Sequence, residues 1–276
     1  MTDVANSEAN LGTAVRPAGG RPASIFAARA AFLAVILALW QGAVDAGLAN
    51  AAFVSTPAGV AQSLWHLFRD GEIFPDLGTT VLEIAIAFVL SVVFGIASAV
   101  VLDRNDWLNR ILSPFLTAFN SMPRIALGPL FILWFGIGIA SKVVLAFSLG
   151  YFIMLLSTLG GLKNVDRDLL LMSRLFGASE LRLFRHVRFP WALPGIFAGL
   201  KLTLIYCSAG AVIGEMIAAR SGLGVLLQSF SGRFDVAGVL ALILIVALLV
   251  MVLTSLMDLA ERRLLEWSKG STDVPG

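Results

Sequence analysis

The sequence predicts an all-α polytopic membrane protein with six transmembrane helices and one substantial cytoplasmic loop. Hydrophobic residues make up 58% of the 276 positions and charged residues only 14%, where a soluble domain carries roughly 25% charged residues. The mean hydropathy is +0.88. The apolar residues also gather in long runs, and about 20 of them at 1.5 Å each span a bilayer. The net charge of +2 is too small to point to nucleic acid. Cys207 is the only cysteine, which excludes an intrachain disulfide and a cysteine metal cluster. His66 and His186 are the only histidines, so no histidine-rich metal site is expected.

Taken in order, residues 1–24 are small and polar, with Pro17, Gly19, Gly20 and Pro22, and read as a flexible tail. Six runs then qualify as spans: 27–48, 77–102, 111–135, 143–162, 192–218 and 236–260. A signal peptide is the rival reading of the first run. The long polar lead and the apolar stretch continuing to Leu48 argue against it. Pro57–Phe68 is short and bears Gln62 and His66, so it reads as a surface helix, with Ser55-Thr56 before a first-turn proline.

Basic residues orient the chain. The tail, the 103–110 loop, the 163–190 loop and the C-terminus hold most of them, including Arg16, Arg21, Arg29, Arg104, Arg110, Arg262, Arg263 and Lys269. The opposite side holds Arg69, Lys142, Arg220 and Arg233, while Arg124 and Lys201 fall within spans. Both termini are therefore expected in the cytoplasm. Trp107, Trp191 and Trp267 lie near expected interfaces.

The 163–190 loop predicts two short helices, 166–176 and 179–189, joined at Gly177. Gly177 supplies the positive φ that ends the first, Ser179 caps the second, Pro190 stops it, and Pro194 falls in the first turn of the fifth span. Such an elbow suits docking into a groove on a soluble partner.

Gly177, followed after nine residues by Val187-Arg188-Phe189-Pro190, resembles the glutamate-alanine-alanine loop of bacterial ABC importer permeases. Residues 122–130 (MPRIALGPL), 134–138 (WFGIG), 193–201 (LPGIFAGLK), Gly214-Glu215-Met216 and Ser221-Gly222-Leu223-Gly224 are similar to phrases of the nitrate/sulfonate/taurine branch. The resemblance covers nearly all of residues 50–265. Two departures stand out: Leu171-Met172-Ser173 replaces glutamate-alanine-alanine, and Glu83 stands where many branch members have arginine.

The resemblance implies a type I importer permease fold, with a single permease domain at 25–267, its coupling loop at 163–190, and a C-terminal tail at 268–276. It implies ATPase docking by Gly177, Ala178, Ser179 and Glu180, with Val187, Pro190 and Pro194 as structural members of the motif. It also implies a second permease copy, two ABC ATPase subunits, a periplasmic solute-binding protein and a bacterial inner-membrane location. The solute would be sulfonate-, nitrate- or taurine-like, or a pyrimidine precursor. No P-loop occurs in this chain, so ATP and Mg are expected on the partner ATPase, with no cofactor and no catalytic residue here.

Charges inside spans are expensive and need partners. Arg124, between Pro123 and Pro129, has three readings: contact with an anionic solute, pairing with Glu83, or a structural contact. Asn120 and Ser121, one turn earlier, would line the same path. Glu83 and Glu215 are candidates for a buried charge or a gate, with Glu215 anchoring the outer end of the fifth span. Lys201 reads as a snorkelling structural residue; Arg174, Arg182, Arg185 and Arg188 either dock an acidic ATPase surface or, more plainly, orient the chain or touch lipid phosphates; and Gly195, Gly199, Ser208, Gly210 and Gly214 read as a close-packing face. The rival is a secondary transporter driven by an ion gradient, which would show paired halves.

Overall fold

In a computed structural model, residues 22–71 and 73–264 are described. The tail up to residue 21 (with Arg16 and Arg21), Trp267, Lys269 and the C-terminal tail lie outside them. The chain divides between Ala58 and Gly59 into two compact units. The first holds α1 (Pro22–Asp45), an apolar helix long enough to cross a membrane, and the short α2 (Ala51–Val54). Asn50 caps α2 by accepting the Ala52 N–H at 3.0 Å. Helix α3 (Pro57–Arg69) begins at the expected proline and straddles the division.

The second unit is all-helical among the described residues. It contains α4 (Ile73–Arg104), α5 (Asp106–Ser121), a 3₁₀ turn (Arg124–Leu127), α6 (Gly128–Phe135) and α7 (Ile139–Lys163). It continues through α8 (Arg167–Leu175), α9 (Glu180–Leu183), a π-turn (Phe184–Arg188), α10 (Phe189–Ile217), α11 (Leu223–Gly232) and α12 (Val236–Leu264). Among the described residues, five helices are long and apolar enough to span, and six spans result if one bent pair counts as one.

That bent pair corrects the expected single span 111–135. Helix α5 and the stretch Arg124–Phe135 meet at 81°. Pro123 pushes Met122 out of helical geometry to φ −69°, ψ 138°, as the residue before a proline prefers. Pro129 does not break anything, because it occupies the first turn of α6, where its missing N–H costs nothing.

Helices α4, α7 and α10 form the core. α4 and α7 run parallel, with Ser91 against Phe147 and Ala99 packed beside Leu155 and Leu159. α10 runs antiparallel to both. Ile84, Ala87, Ala146, Leu204, Cys207 and Ala211 make the tightest contact between the three. Close approach depends on missing side chains: a Cβ on Gly199 would meet Ser157, one on Gly210 the Ala146 backbone, and one on Gly150 the Cys207 sulfur at 2.5 Å. Without a hydrophobic force between lipid-immersed helices, this close packing is what holds them. Ser208 turns its hydroxyl back to Leu204 O at 2.8 Å. Lys201 on α10 bonds both Asp258 and Glu261 on α12, a pairing in place of the expected snorkelling.

A second correction concerns Pro190. The helix does not stop there but runs from Glu180 to Ile217 without a break. The Phe189 N–H reaches back to Phe184 O, one residue further than in an α-helix. That wider turn relieves the clash a proline ring makes with the carbonyl four residues earlier. Pro194 accordingly lies in a helix interior.

Candidate functional site

The elbow follows directly from local chemistry. Asp166 caps α8 by accepting the Asp168 N–H at 2.8 Å. At the other end Gly177 adopts φ +77°. Its N–H bonds Arg174 O at 2.9 Å and the Ala178 N–H bonds Ser173 O at 3.1 Å, the paired bonds of a glycine-terminated helix. Ser179 holds the cap position of α9 with extended backbone, but its hydroxyl makes no capping bond; its carbonyl takes the Leu183 N–H at 2.8 Å. Glu180 turns back to Arg174 at 3.0 Å, with both side chains largely in solvent. Leu171, Met172, Leu175, Phe176 and Leu181 are exposed, Phe176 at 86%.

Two hollows flank this surface. One, of about 520 Å³, is lined by charged groups including Asp103, Arg104, Glu180 and Arg188. The other, of about 460 Å³, is bounded by Phe176, Ala178, Arg182, Leu183 and Val187. Arg188, at the end of the π-turn, donates to Asp103 Oδ2 at 2.8 Å, and the Asp103 side chain is only 2% exposed. Arg104 lies over the Phe184 ring at 4.7 Å. The elbow is thereby pinned to the end of α4. Arg188 thus binds within the chain, and the aspartate directly after a long apolar run is the sequence signal for it.

At the opposite end of the bundle a second polar knot ties α4 to α10. Glu215 is buried at 1% exposure. Its Oε1 accepts from Thr80 Oγ1 at 2.7 Å and its Oε2 from the Gly224 N–H at 2.7 Å. Thr80 in turn accepts the Leu223 N–H at 2.9 Å, and Asp76 takes the Gly222 N–H at 2.6 Å. Glu215 thus ties the end of α10 to the start of α4, and Asp76 and Thr80, which no sequence signal singled out, complete the knot. Gly222, at φ +119°, lies so close to the Glu215 carboxylate that any Cβ would overlap it.

Lys142 was expected in an outer loop. It sits in the first turn of α7, is only 4% exposed, and donates to Ile137 O and, at 2.9 Å, to Gly138 O. Glu83, 1% exposed, lies near Lys142 and Glu215, and its Oε2 has no hydrogen-bond partner.

Arg124 makes no ion pair among the described residues, so pairing with Glu83 is set aside. Its guanidinium donates to Ser148 O (3.0 Å), Leu149 O (3.4 Å), Phe119 O (3.3 Å) and Asn120 Oδ1 (2.9 Å). It also lies over the Phe152 ring at 4.3 Å. These bonds clasp the bent pair to α7. Asn120 joins that clasp, whereas Ser121 turns to Thr117 O at 2.9 Å.

A family model described as binding-protein-dependent transport system inner membrane component matches residues 91–266. The chain belongs to this family. The permease is 32% identical over 235 residues to the riboflavin transport system permease protein of Chloroflexus aurantiacus, covering 85% of this chain and 88% of that one. It is 30% identical over 240 residues to the taurine transport system permease protein of Escherichia coli K12, covering 85% and 87%. In fold it is similar to a solved inward-facing methionine ABC transporter, with TM-score 0.57 and 23% identity over 73% of the permease and 95% of that chain. These relatives are transport subunits, and the permease has the type I ABC importer fold, a multi-pass inner-membrane protein.

Proposed function

We propose that this permease is the membrane-spanning subunit of an ATP-driven importer, working as a homodimer with two ATPase subunits and a periplasmic solute-binding protein. The carrying observation is the elbow around Gly177, with apolar Leu175 and Phe176 presented to solvent at the end of α8, directly ahead of the helix that runs from Glu180 through α10. The ATPase docks on Gly177, Ala178, Ser179 and Glu180, beside the hollow under Phe176. The missing acid of the loop motif is supplied nearby by Glu180, which Arg174 holds in place. ATP and Mg bind on that partner. Both termini lie in the cytoplasm, and the binding protein meets the opposite end, where the Glu215 knot closes the bundle.

The solute is a small organic or anionic compound, sulfonate-, nitrate- or taurine-like or a pyrimidine precursor. The taurine and riboflavin permeases among its relatives support a small polar cargo. ATP-driven closure of the ATPases moves each elbow, and the π-turn ahead of Pro190 passes that motion into α10 without a flexible joint. A switch between two packings requires different contacts in each state.

The test is purification of the tagged chain from native membranes in mild detergent, with intact-complex mass and subunit identification. Two copies with two P-loop ATPase subunits are expected. An assembly without ATPase that shows ion-driven uptake after reconstitution would replace this reading with secondary transport.

A further inference from the structure

The carboxyls of Glu83 on α4 and Glu215 on α10 are hydrogen-bonded to each other inside the knot, and each residue is only 1% exposed. An ionised carboxylate has no hydrogen to give, so a bond between two carboxyls exists only while one of them keeps a proton. The surrounding bonds assign that proton. Glu215 Oε1 accepts from the Thr80 hydroxyl and Oε2 from the Gly224 N–H, each at 2.7 Å. With a donor already aimed at each of its oxygens, Glu215 is the acceptor. Glu83, whose Oε2 receives no donor, carries the proton.

The nearest ammonium does not take the proton's place. Lys142, in the first turn of α7, gives its Nζ to the Ile137 and Gly138 carbonyls, and it forms no ion pair with either carboxyl among the described residues. The other charged groups around the pair are Asp76, which takes the Gly222 N–H at 2.6 Å, and the exposed Arg220. A cavity of about 590 Å³, lined by Glu83, Lys142 and Arg220, opens beside the pair at the end of the bundle opposite the elbow. It gives water, and with it protons, a way to Glu83.

Loss of the proton turns the bond into a contact between two buried carboxylates, which repel strongly where little water screens them. Glu215 is held by two donors and crowded by Gly222, so Glu83 is the side that moves, toward the cavity and the Lys142 ammonium. We propose that Glu83 shares a proton with Glu215 and that the pair is a pH-sensitive latch between α4 and α10, closed while the proton is held and loosened as pH rises on that side of the membrane. The latch goes beyond the importer reading and does not depend on it.

The test uses the full chain with its co-purified partners in a detergent free of ester groups, which leaves the C=O stretch of protonated carboxylic acids clear in infrared spectra. At about pH 7, where exposed carboxyls are ionised, the unaltered protein should show this band and Glu83→Gln should lack it. The band should fade as the pH is raised to about 9. Hydrogen exchange at the Leu223 and Gly224 amides, corrected for its intrinsic pH dependence, reads the latch itself. Their opening should increase about tenfold or more over the same pH range in the unaltered protein, the usual worth of a hydrogen bond to a charged group. Glutamine has nearly the same shape and donates an N–H to Glu215 at any pH, so Glu83→Gln should keep their protection constant. Absence of the band at about pH 7, a band that survives in Glu83→Gln, or exchange that increases equally in both proteins or in neither would each overturn the proposal. The first of these needs no variant to fold.

Discussion

Thr80 stands at the centre of the knot that closes the end of the bundle, which makes Thr80→Val an informative single change. Valine keeps the shape and β-branching of threonine and deletes only the hydroxyl. That hydroxyl donates to Glu215 Oε1 at 2.7 Å and accepts the Leu223 N–H at 2.9 Å. Leu223 and Glu215 are both essentially fully buried, so neither group finds water in exchange. Each buried partner left unsatisfied costs about 1–3 kcal/mol, with the carboxylate toward the upper end. The two together come to roughly 2–6 kcal/mol. Thr80→Ser is the control: it keeps the hydroxyl and loses one methyl, at about 1 kcal/mol. The assay is thermal unfolding in detergent followed by tryptophan fluorescence and by loss of the monodisperse species. Thr80→Val should unfold well below Thr80→Ser. Equal midpoints for the two variants would refute the claim that the hydroxyl, not the side-chain volume, holds the knot.

At the elbow, a Cβ on Gly177 meets nothing within 4 Å, so the demand there is its φ of +77°, not space. Gly177→Val should therefore insert normally, cost about 1–2 kcal/mol locally and sharply reduce solute-stimulated ATP hydrolysis; an undiminished rate in proteoliposomes would count against the docking role. Arg188→Gln takes away the guanidinium bonded to the buried Asp103 carboxylate and leaves only the more distant Arg104 and Lys163 charges, at about 1–3 kcal/mol. Adding Asp103→Asn should recover most of that loss in a thermal double-mutant cycle, and additive losses would show that the pair is uncoupled. Gly150→Ala would place its methyl 2.5 Å from Cys207 Sγ and 2.7 Å from Ser91 Oγ. Overpacking of about 1–3 kcal/mol is expected, and Cys207→Ala in the same chain should restore part of it; no rescue would mean the clash is relieved elsewhere.

The apolar runs located the long helices α1, α4, α7, α10 and α12 because lipid demands length and hydrophobicity and little else. Features that depend on partners were less legible. Pro123 ends the helix at Met122 by a local rule, but the 81° angle follows from where α6 and the Arg124 clasp pack, which no local signal carries. Lys142 looked like a loop charge, since the apolar run begins one residue after it. Its burial depends on two carbonyls of the preceding turn accepting its ammonium. Pro190 read as a helix stop by a sound local rule, and the π-turn that rescues it has no simple sequence signature. Of the polar groups, Glu215 was found because a carboxylate in a span must be paired; Thr80 and Asp76 were not, because hydroxyls and first-turn acids are common at helix starts.

Both ends of α10 are tied to the same helix. Arg188 binds Asp103 at the end of α4, and Glu215 binds Thr80 near its start, so α4 and α10 form an antiparallel pair locked at each end. Between the locks, small residues bring α7 into contact with α10, notably Gly150 and Gly210, leaving little freedom for one helix to slide past another. A force applied at the elbow then has two routes: it breaks the Arg188–Asp103 pair and swings the elbow alone, or it carries α4, α7 and α10 together as one body. The first route leaves a buried carboxylate unpaired and lifts Arg104 from the Phe184 ring, a cost with no compensating contact. The second breaks nothing among the core contacts and falls on the periphery, where the 81° joint of α5 and α6 meets α7 through the Arg124 clasp. Rigid movement of the three-helix core against that joint is therefore the less costly response.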